Sequence, residues 1–252
     1  MISMKRRGET RDKLIEAGLQ LMLAKGYTNT GIQEIVNQAG VPKGSFYHYF
    51  DSKESFALAI IDSFDRNHLL KIRRHLSSEQ ALTQGNTKTQ QQALSQALPQ
   101  TLPQALSQEL SQELPQEALF VRDDHKAACC STASERALDR LLAYFRTVAQ
   151  EKGDCPSKSG CLIGTLSQEM SGQSELLRAR LAQALDGWRA EFSQCLKLAQ
   201  TEGDVRRDLC PIELSEIVLS GWEGAILRSK ATNSPAPLHS FIELLPRLLQ
   251  IS

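Results

Sequence analysis

Apolar residues recur every three or four positions through most of this chain, which is the spacing of one helix face. Leu14, Ala17, Gly18, Leu21 and Met22 predict a first helix. Thr10 is placed to cap it, and Gly26, after Lys25, is placed to end it. Ile32, Ile35, Val36 and Ala39 predict a second helix starting near Gly31, with Thr30 and Gln33 spaced as a capping box and Gly40 at its end. Val41 and Pro42 make a tight turn, and a short third helix runs from about Lys43 to Tyr49. Asp51 and Ser52 offer caps for a fourth, in which Phe56, Ile60, Phe64, Leu69 and Ile72 keep an apolar stripe to about Leu76.

The pattern returns at Ser134. Leu138, Leu141, Leu142, Phe145 and Val148 mark a fifth helix ending near Gly153, and the run CLIGTLSQEM a short sixth. A long seventh, from Ser174 to about Thr201, carries Leu177, Leu181, Leu185, Trp188, Phe192 and Leu196. An eighth begins near Pro211 with Leu214, Ile217, Val218, Trp222, Ile226 and Leu227, and a last holds Phe241, Leu244, Leu245, Leu248 and Leu249. The expected fold class is all-α. The last two helices are too apolar for one protomer face, and Gly221, Gly224 and Ala225 are small enough to allow close helix approach.

Between these halves, residues 77–134 follow a different rule. Leu94, Leu98, Leu102, Leu106, Leu110 and Leu114 recur every four residues, so a leucine stripe drifts around a helix of 3.6 residues per turn. Pro99, Pro103 and Pro115 each remove a helix hydrogen bond. This low-complexity Gln/Leu/Pro sequence reads as a loop insertion, expected to be disordered or weakly helical. Removing Thr83 to Pro115 is accordingly expected to leave folding and binding intact, because loop entropy grows only slowly with length. The implied organisation is a helix-turn-helix domain over residues 1–60, a connecting helix over 61–76, the insertion over 77–134, and a second helical domain over 135–252.

Charge sharpens this division. Residues 1–76 hold 12 Lys/Arg against 8 Asp/Glu, residues 77–134 hold 3 against 6, and residues 135–252 hold 14 against 15. The basic excess lies with the two short helices, where phosphate contact would need it. Lys5, Arg6 and Arg7 read as a basic arm, suited to a phosphate or the minor groove. No run of about 18 apolar residues suggests a membrane span, and no apolar stretch follows the basic N-terminus as in a secretory signal, so a cytoplasmic protein is expected. The six cysteines (129, 130, 155, 161, 195 and 210) form no CxxC pair and no close set with histidine, so neither a disulfide scaffold nor a zinc site is expected. Without GxSxG, HExxH or a phosphate-cradling glycine loop, an enzyme is not expected, nor is a cofactor.

The candidate chemistry lies in TGIQEIVNQAGVPKGSFYHYF. On the third helix Phe46, Tyr49 and Phe50 can anchor inward, while Lys43, Ser45, Tyr47 and His48 offer cationic or hydroxyl groups outward. Such a face on a short, packed helix suits the DNA major groove. An ordinary helical hairpin with a solvated face, in an enzyme or an interaction protein, is the competing reading. The longer run AGVPKGSFYHYFDSKESF resembles the signature of the TetR family of bacterial transcriptional regulators, over about Arg11 to Leu58. That resemblance implies a three-helix DNA-binding domain, a connecting helix, and an all-helical effector-binding and dimerisation domain. It implies operator DNA, a second copy of the chain and a small effector as partners. Thr30, Lys43, Gly44, Ser45, Tyr47, His48 and Lys53 are the expected DNA contacts, with Thr30 and Lys53 on phosphates.

SGCLIGTLSQEM and EGDVRRDLCPIELSEIVLSGWEGAIL further resemble the NemR/AcuR/YxaF-LmrA-like branch of that family, over about Ser157 to Leu227. This implies a repressor released by a small electrophile or another small organic molecule, with Cys161 as the effector-sensing residue. In the first turn of its helix, beside unpaired amides and Lys158, Cys161 would have a lowered thiol pKa. A small buried core cysteine is the alternative. The pocket is expected among helices five to eight.

Overall fold

The computed structural model describes residues 2–77, 136–153 and 160–250. The low-complexity segment from residue 78 onward, with the deletion expected to be silent, lies outside the described residues, as do Cys129, Cys130, Cys155 and Lys158. Among the described residues the chain is all-α: α1 (Ile2–Lys25), α2 (Ile32–Ala39), α3 (Lys43–Tyr49), α4 (Lys53–Leu76), α5 (Ala137–Lys152), α6 (Leu162–Met170), α7 (Glu175–Glu202), α8 (Pro211–Thr232) and α9 (Ala236–Leu249). The portions up to Leu76 and from Arg136 belong to one compact unit.

Two helix starts differ from expectation. α1 runs through Thr10 from Ile2, so Lys5, Arg6 and Arg7 lie within the helix rather than in an arm before it. Only Gly8 weakens that stretch, at a cost of about 1 kcal/mol, which does not stop a helix. The N-cap of α2 is Gly31, with no side-chain cap. Thr30 instead turns back and donates its hydroxyl to the Gly26 carbonyl at 2.6 Å. At α4 the expected cap is present: Ser52 Oγ accepts from the Ser55 amide at 3.0 Å.

α1, α2 and α3 close on the first turns of α4. Leu14, Met22, Ile35, Val36, Phe46, Phe56 and Ile60 are buried there. α1 and α4 approach most closely at Gly18, where a Cβ would sit 2.4 Å from the Phe56 ring and 2.7 Å from Ile60. The long α7 is the spine of the second half and packs against α4, α5, α6 and α8. Leu177, Leu181, Trp188, Phe192 and Leu196 are buried along it. Ion pairs and hydrogen bonds lock α4 to α7: Arg180 reaches Asp62 at 2.6 Å and Asp65 at 2.8 Å, and Trp188 Nε1 donates to Asp65 at 2.8 Å.

On α8 and α9 the apolar residues divide. Leu214, Val218, Trp222, Ile226, Leu245 and Leu249 are buried, whereas Ile217, Leu227, Leu244 and Leu248 are each at least half exposed. Gly221 serves the protomer itself, since its missing Cβ would lie 2.9 Å from the Phe241 ring of α9. Gly224 faces open space.

Candidate nucleic-acid interface and inner cavity

The turn between α2 and α3 is built by Gly40, whose φ of 67° lies in the left-handed region that glycine adopts without strain. The amides of Gly40 and Val41 bond back to the Asn37 and Val36 carbonyls, closing α2 tightly. Pro42 then caps α3, whose first bond runs from the Ser45 amide to the Pro42 carbonyl at 2.9 Å. Phe46 is fully buried and anchors α3 against Phe56 and Phe50, with ring centroids 5.0 and 5.5 Å away. With position 46 pinned inward, Lys43, Gly44, Tyr47 and His48 fall on the exposed side, and Ser45 is half-buried at its edge. One short helix thus presents a cation, a phenol, an imidazole and a glycine with nothing above its Cα, a surface that can lie against base edges and phosphates.

The remaining expected contacts sit differently. Thr30 is fully buried with its hydroxyl already donated, so it cannot reach a phosphate. Lys53 stands at the start of α4, but its Nζ lies 4.2 Å over the Tyr27 ring and 3.4 Å from the Thr28 carbonyl. Partial burial pushes the Lys53 ammonium down, while Glu169 nearby opposes the shift. This lysine is tied to the α1–α2 turn.

A cavity of about 340 Å³ lies farther along the molecule. α4 contributes Phe64, Asn67, His68 and Lys71, α5 contributes Val148, Glu151 and Lys152, and α8 contributes Trp222, Glu223 and Ile226. Leu19 of α1 and the Gly160–Cys161 approach to α6 complete it. Of the expected helices five to eight, α5 and α8 line it and α6 reaches it through its cap, whereas α7 supplies no lining residue and α4, which lies outside that set, supplies more than any other helix.

The cavity gathers ionisable groups. Tyr144 Oη and His68 Nε2 are 2.9 Å apart, and the His68 ring packs on Trp188 at 4.2 Å. Burial, with Lys71 and Lys152 nearby, pushes the His68 imidazole down to about 4, so it is neutral near pH 7. Burial raises the Tyr144 phenol well above its usual value. Lys152, whose Nζ donates to the Gly160 carbonyl at 3.2 Å, is pushed down by burial, against the pull of Cys161 and Glu223. Lys71 and Glu151 pair at the rim.

Cys161 is the N-cap of α6 rather than a residue of its first turn, and its Sγ accepts from the Gly164 amide at 3.4 Å. The expected amide contact exists, but the expected low thiol pKa does not follow. Cys161 is buried, and burial together with the Glu223 carboxylate pushes the thiol well up, outweighing Gly164 and Lys152. Glu223 is itself raised by burial, with the Cys161 hydrogen bond and Lys152 opposing. Glu223 and His68 are functional candidates that sequence reasoning does not single out. The available signal for Glu223 is one acid inside the otherwise apolar run SGWEGAIL. Among the described residues no group of three or more His, Cys, Asp or Glu is placed to hold a metal ion, and no helix is long and apolar enough to cross a membrane.

Comparison with known proteins places this geometry. Residues 14–60 match the model for bacterial regulatory proteins of the tetR family, and residues 137–245 match that for the tetracyclin repressor-like C-terminal domain. The chain is 32% identical over 228 residues to the transcriptional regulator AcuR of Cereibacter sphaeroides, covering 90% of this chain and 80% of the relative. It is 28% identical to the repressor DhaR of a Mycobacterium species, covering 94% of this chain and 90% of the relative. The crystal structure of a regulatory protein TetR from Rhodobacter sphaeroides superposes with a TM-score of 0.68 at 31% identity, over 94% of this chain and 97% of that one. Regulators of this kind bind operator DNA and typically act as dimers with small-molecule effectors. The two family matches flank the low-complexity segment, and with the exposed face of α3 they establish that this chain belongs to the TetR family of DNA-binding transcriptional regulators.

Proposed function

We propose that the protein is a homodimeric cytoplasmic repressor that reads a palindromic operator through α3 and leaves it when a small organic molecule fills the cavity between α4, α5 and α8. The observation that carries this reading is the aromatic anchoring of Phe46, which leaves Lys43, Gly44, Tyr47 and His48 outward on one rigid helix. Lys43, Ser45, Tyr47 and His48 are the proposed operator contacts, Gly44 permits close approach of the backbone, and Lys53 adds positive charge at the edge. Dimerisation buries Ile217, Leu227, Leu244 and Leu248 of α8 and α9 against the same residues of a second copy, an isologous contact that matches a two-fold operator. The relatives DhaR and NemR are named as repressors, which supports the sign of regulation.

The effector reading that fits the cavity best is reversible binding. Apolar walls from Phe64, Val148, Trp222 and Ile226 meet a few polar groups, the usual makeup of a small-molecule site. Covalent sensing at Cys161 is the second reading, and the contact with Glu223 favours it: the carboxylate can take the thiol proton as sulfur bonds to an electrophilic carbon. Selection of operator DNA with the purified protein tests the first half. Release assays on wild type and Cys161→Ser, with a quinone, an unsaturated aldehyde, N-ethylmaleimide and hypochlorite, divide the second. Release of wild type alone assigns sensing to Cys161. Equal release of both, or of neither, returns the cavity to a reversible ligand.

A further inference from the structure

We propose that Lys152 is a covalent binding site for small aldehydes, which it captures as a reversible imine inside the cavity, with Glu223 moving the protons. Any effect of this capture on operator binding rests on the effector reading above. The chemistry at Lys152 does not.

Lys152 is the last residue of α5 and part of the cavity wall. Its Nζ is held by the Gly160 carbonyl, 3.2 Å away, which fixes the half-buried amine at the approach to Cys161. Glu223 enters the same cavity from α8 and hydrogen-bonds the Cys161 thiol. An amine, a carboxyl group and a thiol thus line one space, with Lys152 and Glu223 in electrostatic reach of each other. Phe64, Val148, Trp222 and Ile226 give that space apolar sides.

An amine attacks a carbonyl carbon when its nitrogen is unprotonated and an acid stands near the carbonyl oxygen. Burial pushes the Lys152 ammonium down, and Lys71 adds like-charge repulsion. Cys161, Glu223 and Glu151 oppose the shift without reversing it. Burial pushes the Glu223 carboxyl up, against the Cys161 hydrogen bond and Lys152. Both shifts favour one exchange, a proton passing from ammonium to carboxylate, which leaves two neutral groups where two charges are costly. Lys71, the other amine of the wall, is held by Glu151 at the rim.

The reaction balances within the site. The Lys152 electron pair bonds to the carbonyl carbon, the π pair moves to oxygen, and Glu223 protonates that oxygen. The nitrogen returns a proton to Glu223, leaving a neutral carbinolamine. Glu223 then protonates the hydroxyl, which departs as water while the nitrogen pair forms the C=N bond. The product is an iminium facing the Glu223 carboxylate, and added water reverses every step. Charge and space select the ligand. Two lysines of the wall meet two glutamates, so the wall has no surplus charge for an ionised ligand. The cavity of about 340 Å³ takes a molecule of up to about ten non-hydrogen atoms, at roughly 30 Å³ each. An aldehyde with a short apolar tail meets both conditions.

A lysine that only holds the Gly160 carbonyl would react no faster than an exposed one. Butanal with sodium cyanoborohydride, which reduces an imine to a stable secondary amine, separates the two roles when followed by peptide mass mapping of the full chain. Lys152 should gain one butyl group at least tenfold faster than the exposed Lys43, at a rate that saturates with butanal. Glu223→Gln should slow Lys152 at least tenfold and leave Lys43 unchanged. In Cys161→Ser, Lys152 should still react within threefold of wild type, which sets imine formation apart from thiol addition. Lys152 reacting no faster than Lys43, or losing its reaction in folded Cys161→Ser, overturns the proposal. If Glu223→Gln does not fold, the comparison of Lys152 with Lys43 in wild type decides by itself. Operator affinity of the reduced protein, after butanal is removed, reads the effector step separately. Butylated Lys152 with unchanged affinity upholds the amine site and sinks the effector reading. Operator release by butanal with Lys152 unmodified overturns the proposal and keeps the cavity as an effector site.

Discussion

The DNA-reading end and the cavity end of this protein place their chemistry on opposite sides of the fold. In the reader, Phe46, Phe50 and Phe56 go inside, and Lys43, Tyr47 and His48 stay in water. Around the cavity, Tyr144 and Cys161 are buried, and His68, Lys152 and Glu223 are partly so, each shifted by the loss of water and by one another. A surface for phosphates needs charges that are permanent and accessible, and a rigid apolar underside to aim them. A cavity wall can hold polar groups whose state depends on their surroundings, because burial and neighbouring charges set it. The reader should therefore be sensitive to lost apolar volume, and the cavity to proton uptake.

The largest effect expected is in the reader core. Phe46→Ala leaves a hole between Phe50 and Phe56 and should destabilise the protein by about 4 kcal/mol, with loss of operator binding. Thermal or urea unfolding of the variant measures this. A loss below 1 kcal/mol would break the contrast, by showing that α3 is held by something other than its aromatic anchor.

Acid comes next and acts on the other end. His68 has an ordinary value of 6.5 and about 4 in the fold. The unfolded chain takes up this proton first, so stability falls as pH drops from 6.5 towards 4 and loses nothing further from this group below 4. The full loss would be up to about 3 kcal/mol. His68→Gln, which keeps an acceptor for Tyr144, should flatten the stability profile over that window relative to wild type. Parallel profiles for the two proteins would remove His68 as the cause.

A smaller effect probes the crossing of α1 and α4 beneath both regions. Gly18→Ala brings a methyl group into the Phe56 ring and should cost about 2 kcal/mol, in line with overpacked cores. An unchanged melting temperature would show that α1 can move away from α4 freely. The smallest effect on stability belongs to the reader surface. Lys43→Ala should leave unfolding unchanged and reduce the salt dependence of operator binding by about one unit of slope, if Lys43 neutralises one phosphate. An unchanged slope with full affinity would remove Lys43 from the contact set.

What could be read from the chain itself tracks how far apart the interacting residues lie. The boundaries of α3, the anchor at Phe46 and the outward set from Lys43 to His48 follow from spacing within eight residues. The Ser52 cap was equally legible, because its partner is three residues on. Even local reading failed where two local partners competed. Thr30 can cap α2 or bond back to Gly26, and the fold uses the second because Gly31 takes the cap position.

Sequence by itself determined the helices, their buried stripes, the aromatic-backed reader and the excess apolar surface on α8 and α9, because helix hydrogen bonds and amphipathic periodicity are short-range. Tertiary structure alone decided that Cys161 faces Glu223, that Trp188 holds Asp65 from 123 residues away, and that Glu169 clasps the Tyr27–Thr28 turn. The physical reason is that burial and charge at a site are summed over every element packed around it. Nearby residues in sequence, a helix N-terminus and Lys158, argue for an acidic thiol at Cys161. The loss of water and a carboxylate brought in by α8 reversed the sign.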